Sequence, residues 1–458
     1  MVCRSPTEVA VETFADTLES LTSFGPRGID RFSASLPEDW IEEALAATGT
    51  GSIRRRKLPA EQAVWLVLGM SLFTDRSIRN VTEHLGLVLP GVTSLAPSAV
   101  SQARERLGPT PMEWLFERVA SMWSNKGGEK GYAGMSLFAV DGTCMRVQDS
   151  DSNFEHFGKP GGPAGSGDAG YPQLRLACLM NLGTRMLVAA RFGAYRTSEL
   201  ELADALWDSV PPNSITILDR GFVDYLLLAS FLGTAQKRHL LVRMRDNMNP
   251  EAIEELSDGT LKVRLVATNT ACAKQPDVER TIEGRIIAYK HPDGKACRLF
   301  TTLMDVDKYP ANELIELYHQ RWEIELAYDE LKTHMLDRKE CLRCKSPRMV
   351  EQELWGLLLT YNLVRREMLL VANSHKTSPA RISFVSSLMW ITNFWLISAQ
   401  TSPSNLPRHL GEFHSKLGTL ILPERRSERR YPRHIKIYRN AYPRNRGKRA
   451  LVTDESAK

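Results

Sequence analysis

The sequence predicts an α/β protein in which helices cover both faces of a mixed sheet and a helical region comes first. Its 458 residues are 43% hydrophobic and 25% charged, a globular composition with enough apolar material for two or three cores. Up to about residue 130, apolar residues recur at the spacing of a helix. After that point short apolar runs, typical of buried strands, alternate with helical segments.

Two helices are predicted within the first 130 residues. One opens at Leu58, with Pro59 in its first turn, where proline is tolerated. The other begins at Pro97, and its front carries Ser, Gln and Arg side chains between Ser98 and Arg104. Such side chains suit contact with DNA, as in a recognition helix. An ordinary amphipathic surface helix explains the same spacing and is the better explanation from spacing alone.

The middle of the chain supplies the predicted sheet. Apolar runs predict strands, and amphipathic segments between them predict helices. The predicted strands are 137–140, 174–182, 186–192, 215–218 and 240–242; the predicted helices are 198–207 and 226–232, and 158–170 is a glycine-rich loop.

A small β-rich insertion is predicted from about residue 249 to 305. The helical pattern fades there, and the runs 262–266, 281–289 and 298–303 alternate between apolar and polar residues. Asp293 and Gly294 are typical of a hairpin turn. A long helix is predicted after Pro310.

Two aspartates directly follow predicted strands, Asp141 after 137–140 and Asp219 after 215–218. Ligands gather at the carboxyl ends of strands in open α/β sheets, and two carboxylates on neighbouring strands can share a divalent metal ion. The same residues also fit ordinary turns, as Asp-Gly and Asp-Arg-Gly. On either motif alone, the turn is the better explanation.

One face of the predicted long helix carries further side chains that could bind a metal ion or a phosphate. Tyr318, Arg321, Glu325 and Lys332 fall at i, i+3, i+7 and i+14 and therefore share a face. Glu323 points away from it, because two residues turn a helix through about 200°. The carboxylate can complete a metal site, while the guanidinium and the ammonium suit phosphate. A surface helix with charged pairs explains these charges, but it does not explain their occurrence beside two strand-end aspartates.

The spacing Y-x2-R-x3-E-x6-K of these four residues resembles the signature of the insertion-sequence-4 family of bacterial DDE transposases. Asp141, Gly142 and Thr143 resemble the family's first acidic motif, and the segment 219–222 resembles its second. Further similarity lies in 52–65, 98–108, 171–175, 342–347 and 361–362, with Cys344 where the family pattern leads us to expect serine.

This resemblance implies a fold and a set of boundaries. The expected fold is a ribonuclease-H-like catalytic domain at 131–375, with the β-rich insertion inside it. A helical DNA-binding domain at 1–130 precedes it, and a helical region with a basic tail at 376–458 follows it. Asp141, Asp219 and Glu325 are then the catalytic carboxylates and the ligands of two Mg²⁺ ions, with Mn²⁺ as a substitute.

The implied activity is cut-and-paste transposition. The enzyme binds terminal inverted repeats, cleaves DNA and joins the ends to target DNA, while Tyr318, Arg321 and Lys332 hold phosphates near the cleaved end. Its expected partners are double-stranded DNA and a second copy of the chain, a homodimer in the synaptic complex. The alternatives are a metal-dependent nuclease of the same fold and a catalytically inactive DNA-binding regulator. The intact carboxylates argue against the inactive regulator.

The resemblance leaves a hairpin intermediate open. Related enzymes stack a flipped base on a tryptophan in the insertion, but this insertion contains none. Its aromatic candidates are Tyr289 and Phe300, because stacking requires only a ring.

Charge and composition indicate where the protein acts. Net charge is only +5, but cations cluster at 54–57 and eleven more lie between 425 and 449. Such clusters are typical either of phosphate contact or of a solvated chain end. The seven cysteines lack framework spacing, the start lacks an apolar leader, and the uncharged stretch from Ile382 predicts a buried helix and no membrane span. We therefore expect a cytoplasmic, nucleoid-associated bacterial protein.

Overall fold

One mixed sheet forms the centre of the part of the chain that the computed structural model describes. That part comprises residues 36–51, 58–85, 87, 95–123, 131–160, 170–234, 237–290, 294–337, 341–398, 415–416 and 418–422. Both cationic clusters, at 54–57 and 425–449, lie outside it. The strands are β1 Ser136–Val147, β2 Gln173–Asn181, β3 Leu187–Ala194, β4 Ser214–Leu218, β5 Arg238–Arg243, β6 Glu251–Glu255, β7 Leu261–Val266, β8 Thr281–Lys290, β9 Ala296–Thr301 and β10 Cys341–Leu342.

The strand order is β3-β2-β1-β4-β5-β9-β8-β7-β6, and β10 pairs with the far end of β1. Strands β1, β2 and β3 are antiparallel neighbours, whereas β4 and β5 run parallel to β1. Three antiparallel strands followed by two parallel ones give the ribonuclease-H-like arrangement, so the predicted fold class is confirmed.

The β-rich insertion extends this sheet. Strand β9 pairs antiparallel with β5, and β8, β7 and β6 follow as an antiparallel meander. A short helix that the sequence did not predict, Asn269–Lys274, lies between β7 and β8.

Helices cover both faces of the sheet. In chain order they are α1 Glu38–Ala47, α2 Ala60–Leu72, α3 Ile78–His84, α4 Pro97–Leu107, α5 Thr110–Trp123, α6 Asp151–Phe157, α7 Glu199–Asp204, α8 Tyr225–Thr234, α9 Asn269–Lys274, α10 Ala311–His319, α11 Trp322–Asp329, α12 Pro347–Ser374 and α13 Phe384–Ser398.

The N-terminal helices and α12 share one apolar core. All residues of α2 except Glu61 are buried, and α2 and α5 both pack against α12. The contact between α2 and α12 is close, since a Cβ placed on Gly356 would lie 2.4 Å from Cγ1 of Val67. The apolar core is continuous across residue 130, so the packing shows no domain boundary there. The predicted boundary therefore stays a prediction, based on the function of the two parts.

Strand β1 does not end where the sequence predicted. The apolar run stops at Val140, but β1 continues through Asp141 to Val147. The reason is non-local: β4 stops at Leu218, whereas β2 offers partners on the other side as far as the pair of Arg146 with Gln173.

The helix predicted after Pro310 is not continuous. Helix α10 ends at His319, and the backbone bonds of the next turn join residues three apart, such as the N–H of Glu323 to the carbonyl of Gln320 at 3.0 Å. Helix α11 then follows, and Glu330–Met335 is π-helical. The single helical wheel drawn from the sequence is therefore only approximate.

Helix α4 has the predicted start at Pro97, but Arg104, the first of its two arginines, does not face outward. Arg104 is buried, and its Nε donates to Oε1 of Gln352 in α12 at 2.9 Å. The Gln352 amide in turn donates to the carbonyls of Arg104 and Gly108 at 2.9 and 2.8 Å. Arg104 is therefore wrong as a DNA-contacting residue, and the amphipathic helix is the better description.

The uncharged stretch after Ile382 forms the predicted helix, α13, but the helix is only partly buried, since Val385 and Met389 are 47% and 52% exposed. Among the described residues, no helix is both long and apolar enough to cross a membrane.

We expect Gln352→Leu to lower the free energy of unfolding by about 2–4 kcal/mol, because it leaves a buried guanidinium and two carbonyls without their partner. Urea unfolding measures the effect. Gln102→Leu, on the exposed side of α4, is the matched control and should change stability by less than about 0.5 kcal/mol. Equal effects of the two variants would contradict the role given to Gln352.

Candidate active site

Asp141 and Asp219 occupy equivalent positions on adjacent parallel strands. The last paired residues of β1 and β4 are Val140 and Leu218, and each aspartate is the next residue. The parallel ladder thus brings the two residues together at the edge that the sequence predicted.

Asp141 is a partly buried carboxyl group. Its Oδ1 accepts a hydrogen bond from the N–H of Gly142 at 2.9 Å. Burial raises the pKa of Asp141 to about 6, and the nearby charges of Glu199 and Glu325 add to the effect, against the opposing Gly142 N–H and Arg321. Keeping this carboxylate ionised in a partly buried position costs free energy, and a bound cation would reduce that cost.

Asp219 begins the short 3-10 turn Arg220–Phe222, and its Oδ1 accepts from the N–H of Arg220 at 2.6 Å. Arg245 fixes this turn by donating to the carbonyls of Arg220 and Gly221, both at 3.0 Å. The turn interpretation is thus correct for this motif, whereas for Asp141 and Gly142 it is wrong, because β1 continues through both residues. Both aspartates use Oδ1 for these backbone bonds.

Glu325 lies on α11 and is bound by Arg321. Nη2 of Arg321 is 2.7 Å from Oε1 of Glu325. Burial alone would lower the pKa of Arg321, but the hydrogen bond to Glu325 and the charge of Asp219 raise it overall. The Nε of Arg321 is buried and has no hydrogen-bond partner in the described part of the chain.

Two hydrogen bonds fasten the Glu325 helix over β1. The buried Tyr328 hydroxyl donates to the carbonyl of Asp141 at 2.5 Å. Nζ of Lys332 donates to Oγ1 of Thr143 at 3.0 Å. These contacts lie on either side of Gly142, so the helix is fixed at the acidic motif itself.

Tyr318 is buried beside this group. Burial raises its pKa to about 12, and its ring contacts His319, which in turn contacts Tyr289. Phe300 is completely buried in the core and therefore cannot stack on a base, which corrects one of the two aromatic candidates. Tyr289 is half-buried, with its ring centroid 6.4 Å from that of His319.

Sequence reasoning missed two residues at this site. Trp322 is a large exposed aromatic, 55% accessible, next to Arg321. The sequence signal that could have identified Trp322 is its position off the helix face shared by Tyr318, Arg321 and Glu325. Glu199, at the start of α7, lies so close to Gly142 that a Cβ there would be 1.7 Å from its Oε1. A side chain at position 142 would have to displace this fourth carboxylate, and no local pattern marked the contact.

Glu323 points away from the site, as predicted, and pairs with the buried Arg185. In the described residues, no three acidic, histidine or cysteine side chains converge closely enough to hold a metal ion as they stand. Glu325 is instead engaged by Arg321. The donor set itself, carboxylate oxygens with two cationic side chains beside them, fits a divalent metal and a phosphate.

Two family models match the chain. The first, Insertion element 4 transposase N-terminal, covers residues 26–117, and the second, Transposase DDE domain, covers 132–363.

Individual relatives agree. The chain is 34% identical over 410 residues to the transposase InsG for insertion sequence element IS4 of Escherichia coli K12, covering 89% of this chain and 92% of that protein. It is 35% identical over 250 residues to the putative transposase InsZ of the same organism, covering 52% of this chain and 81% of that protein. A piggyBac transposase synaptic complex with hairpin DNA aligns with a TM-score of 0.43 and 12% identity, over 93% of this chain and 89% of that chain, which is too weak a likeness to support an argument.

The sheet order and the acidic residues agree with these matches. The chain belongs to the insertion element 4 family of DDE transposases, and it is a bacterial insertion-sequence transposase that acts on DNA and depends on divalent metal ions.

Proposed function

We propose that Asp141, Asp219 and Glu325 hold two Mg²⁺ ions, with Mn²⁺ as a substitute, for cut-and-paste transposition. One observation carries this proposal: the two aspartates follow the last pair of the β1–β4 ladder, and the Glu325 helix is bonded to β1 at the first of them. The chain binds the terminal inverted repeats of its element, cleaves the DNA at their ends and joins those ends to target DNA.

The carboxylates provide the negative charge that binds the metal ions. When bound, the ions would activate first water and then a DNA 3′-hydroxyl as nucleophiles, and would stabilise the leaving oxygen. The chain's own contribution is positioning and charge stabilisation, with no covalent enzyme intermediate.

Tyr318, Arg321 and Lys332 hold phosphates near the cleaved end. In the absence of DNA, Arg321 instead neutralises Glu325. Its partnerless Nε supports a second ligand for this guanidinium. A DNA phosphate would take over Arg321 and release Glu325 for metal binding.

The domain assignment follows from these roles. Residues 1–130 bind DNA, 131–375 carry out catalysis, and 376–458 end in a basic tail that adds phosphate contacts. The matched ranges 26–117 and 132–363 support a division near residue 130. Two ends must be paired for the reaction, so the synaptic complex contains a homodimer, and it acts in the cytoplasm at the nucleoid.

We expect Asp141→Ala and Glu325→Ala to reduce cleavage roughly 10³-fold or more, because each removes a proposed ligand of the metal ions that stabilise charge in the transition state. The assay combines purified protein, Mg²⁺, linear DNA bearing the element's ends and target DNA. Glu316→Gln, on the exposed side of α10, is the control and should retain activity. Cleavage without joining by the wild type would identify a nuclease, and binding without cleavage would identify a regulator.

We expect Asp141→Asn to raise the free energy of unfolding of the metal-free protein at pH 7.5, by up to about 3 kcal/mol. The folded pKa near 6 lies above the unfolded value near 3.9, so the buried carboxylate is destabilising above pH 6. This penalty disappears as the pH falls from 6 towards 4. Urea unfolding at pH 7.5 and pH 4 tests the sign, with the exposed Asp329→Asn as control. A gain that is the same at both pH values would contradict the charge explanation.

We expect Arg321→Gln to bind Mn²⁺ roughly tenfold more tightly than the wild type in the absence of DNA, because the competing cation is gone. Electron paramagnetic resonance of free Mn²⁺ measures the affinity. The same variant should bind end DNA more weakly. Unchanged or weaker Mn²⁺ binding would show that Arg321 does not compete with metal ions for Glu325.

A further inference from the structure

The segment that carries Glu325 is not fixed by its own backbone. It begins after an irregular turn at Gln320 and ends in the π-helical segment Glu330–Met335. A π-helical turn is rare and is found most often at functional sites. Contacts with the rest of the protein must therefore set the rotation and the depth of α11.

Two buried arginines contact the side of this segment that faces away from the metal site. Glu323 pairs with Arg185, in the turn between β2 and β3, and Glu330 pairs with Arg365 in α12. Arg185 is 7% exposed and Arg365 is 1% exposed. The two glutamates are seven residues apart, about two helical turns, so they bracket Glu325 along the axis.

The hydroxyl of Tyr361 connects the two ion pairs. It accepts a hydrogen bond from Nε of Arg365 at 3.0 Å, and it lies 3.2 Å from both Oε2 of Glu330 and the carbonyl of Arg185. The Arg365 guanidinium also lies over the ring of Phe384, 5.0 Å from its centroid. The β2–β3 turn, α12 and α13 thus meet behind the catalytic segment.

We infer that Arg185 and Arg365 are positioning residues for the transposition reaction: through Glu323 and Glu330 they hold α11 at the rotation that presents Glu325 to Asp141 and Asp219. This inference rests on the proposed role of Glu325 as a catalytic carboxylate.

The magnitudes favour positioning over stability as the role of these pairs. A buried ion pair is a poor stabiliser compared with an apolar pair of similar volume, but its hydrogen bonds fix direction. Rotation of a helix by about 20° moves a side-chain end at a radius of about 5–6 Å by about 2 Å. A misplacement of about 1 Å can reduce a rate about 10²-fold.

The test is the double variant Glu330→Leu with Arg365→Met, which replaces the ion pair by apolar side chains. We expect Arg365→Met alone to lower the Tm, because it leaves Glu330 in a buried site without its partner. The double variant should recover the Tm. It should still cleave end DNA roughly 10²-fold more slowly than the wild type. Its affinity for that DNA should stay within about threefold of the wild-type value, whereas its affinity for Mn²⁺, measured in the complex with uncleavable end DNA, should be at least about fivefold weaker.

Recovery of cleavage together with the Tm would overturn the inference, since the pair would then be purely structural. Asp258→Leu with Arg285→Met is the control: it removes an ion pair of the insertion between the fully buried Arg285 and the more exposed Asp258, and should leave the cleavage rate of the folded protein unchanged. If the first double variant fails to fold, Glu323→Leu with Arg185→Met replaces the other pair in the same way and should show the same loss of cleavage. Activity of Asp141→Ala would instead overturn the proposed function, so the two failures are distinguishable.

Discussion

Negative charge concentrated at the edge of β1 and β4 is the constraint on which the rest of the site depends. Asp141, Asp219 and Glu325 must approach each other to bind metal ions, and Glu199 adds a fourth carboxylate beside Gly142. Like charges at such distances oppose one another, and burial adds to the penalty at Asp141. The metal-free protein can keep them there only if cations and rigid packing balance the repulsion.

Arg321 and Lys332 meet the first of these needs. Arg321 binds Glu325 directly, and Lys332 is held near Asp141 through Thr143. Both are the side chains proposed to hold DNA phosphates, so the groups that balance the charge without DNA are the groups that meet the substrate. An arginine suits this exchange, because its planar fork matches carboxylate and phosphate equally well.

Local patterns predicted the elements of this site well. Apolar runs located β4 and the first part of β1, and helical spacing distinguished Glu325 from Glu323. Neither required knowledge of distant residues. The continuation of β1 beyond Asp141 was not predictable in this way, because it depends on pairing with β2 across the glycine-rich loop.

Three of the features that sequence reasoning missed depend on distant partners. Arg104 turns inward because Gln352, 248 residues away, takes its hydrogen bonds. Glu199 is identified as a residue of the site only by its contact with Gly142. Glu330 is an ordinary helical glutamate until α12 brings Arg365 against it. Charge alone does not show which of these residues faces the core.

Helix α12 supplies the partners in two of these distant contacts, those of Arg104 and Glu330. Its early part carries Gln352, which holds α4, and thirteen residues later, about 20 Å along the axis, Arg365 holds the catalytic segment. A single α-helix is stiff over that length, and α12 is buried along most of it. If the N-terminal helices bind the DNA ends, as proposed, one rigid element sets the position of the bound DNA relative to the catalytic carboxylates. Cleavage at a defined distance from the recognised sequence requires such a link, and a flexible linker between two independent domains would not provide it.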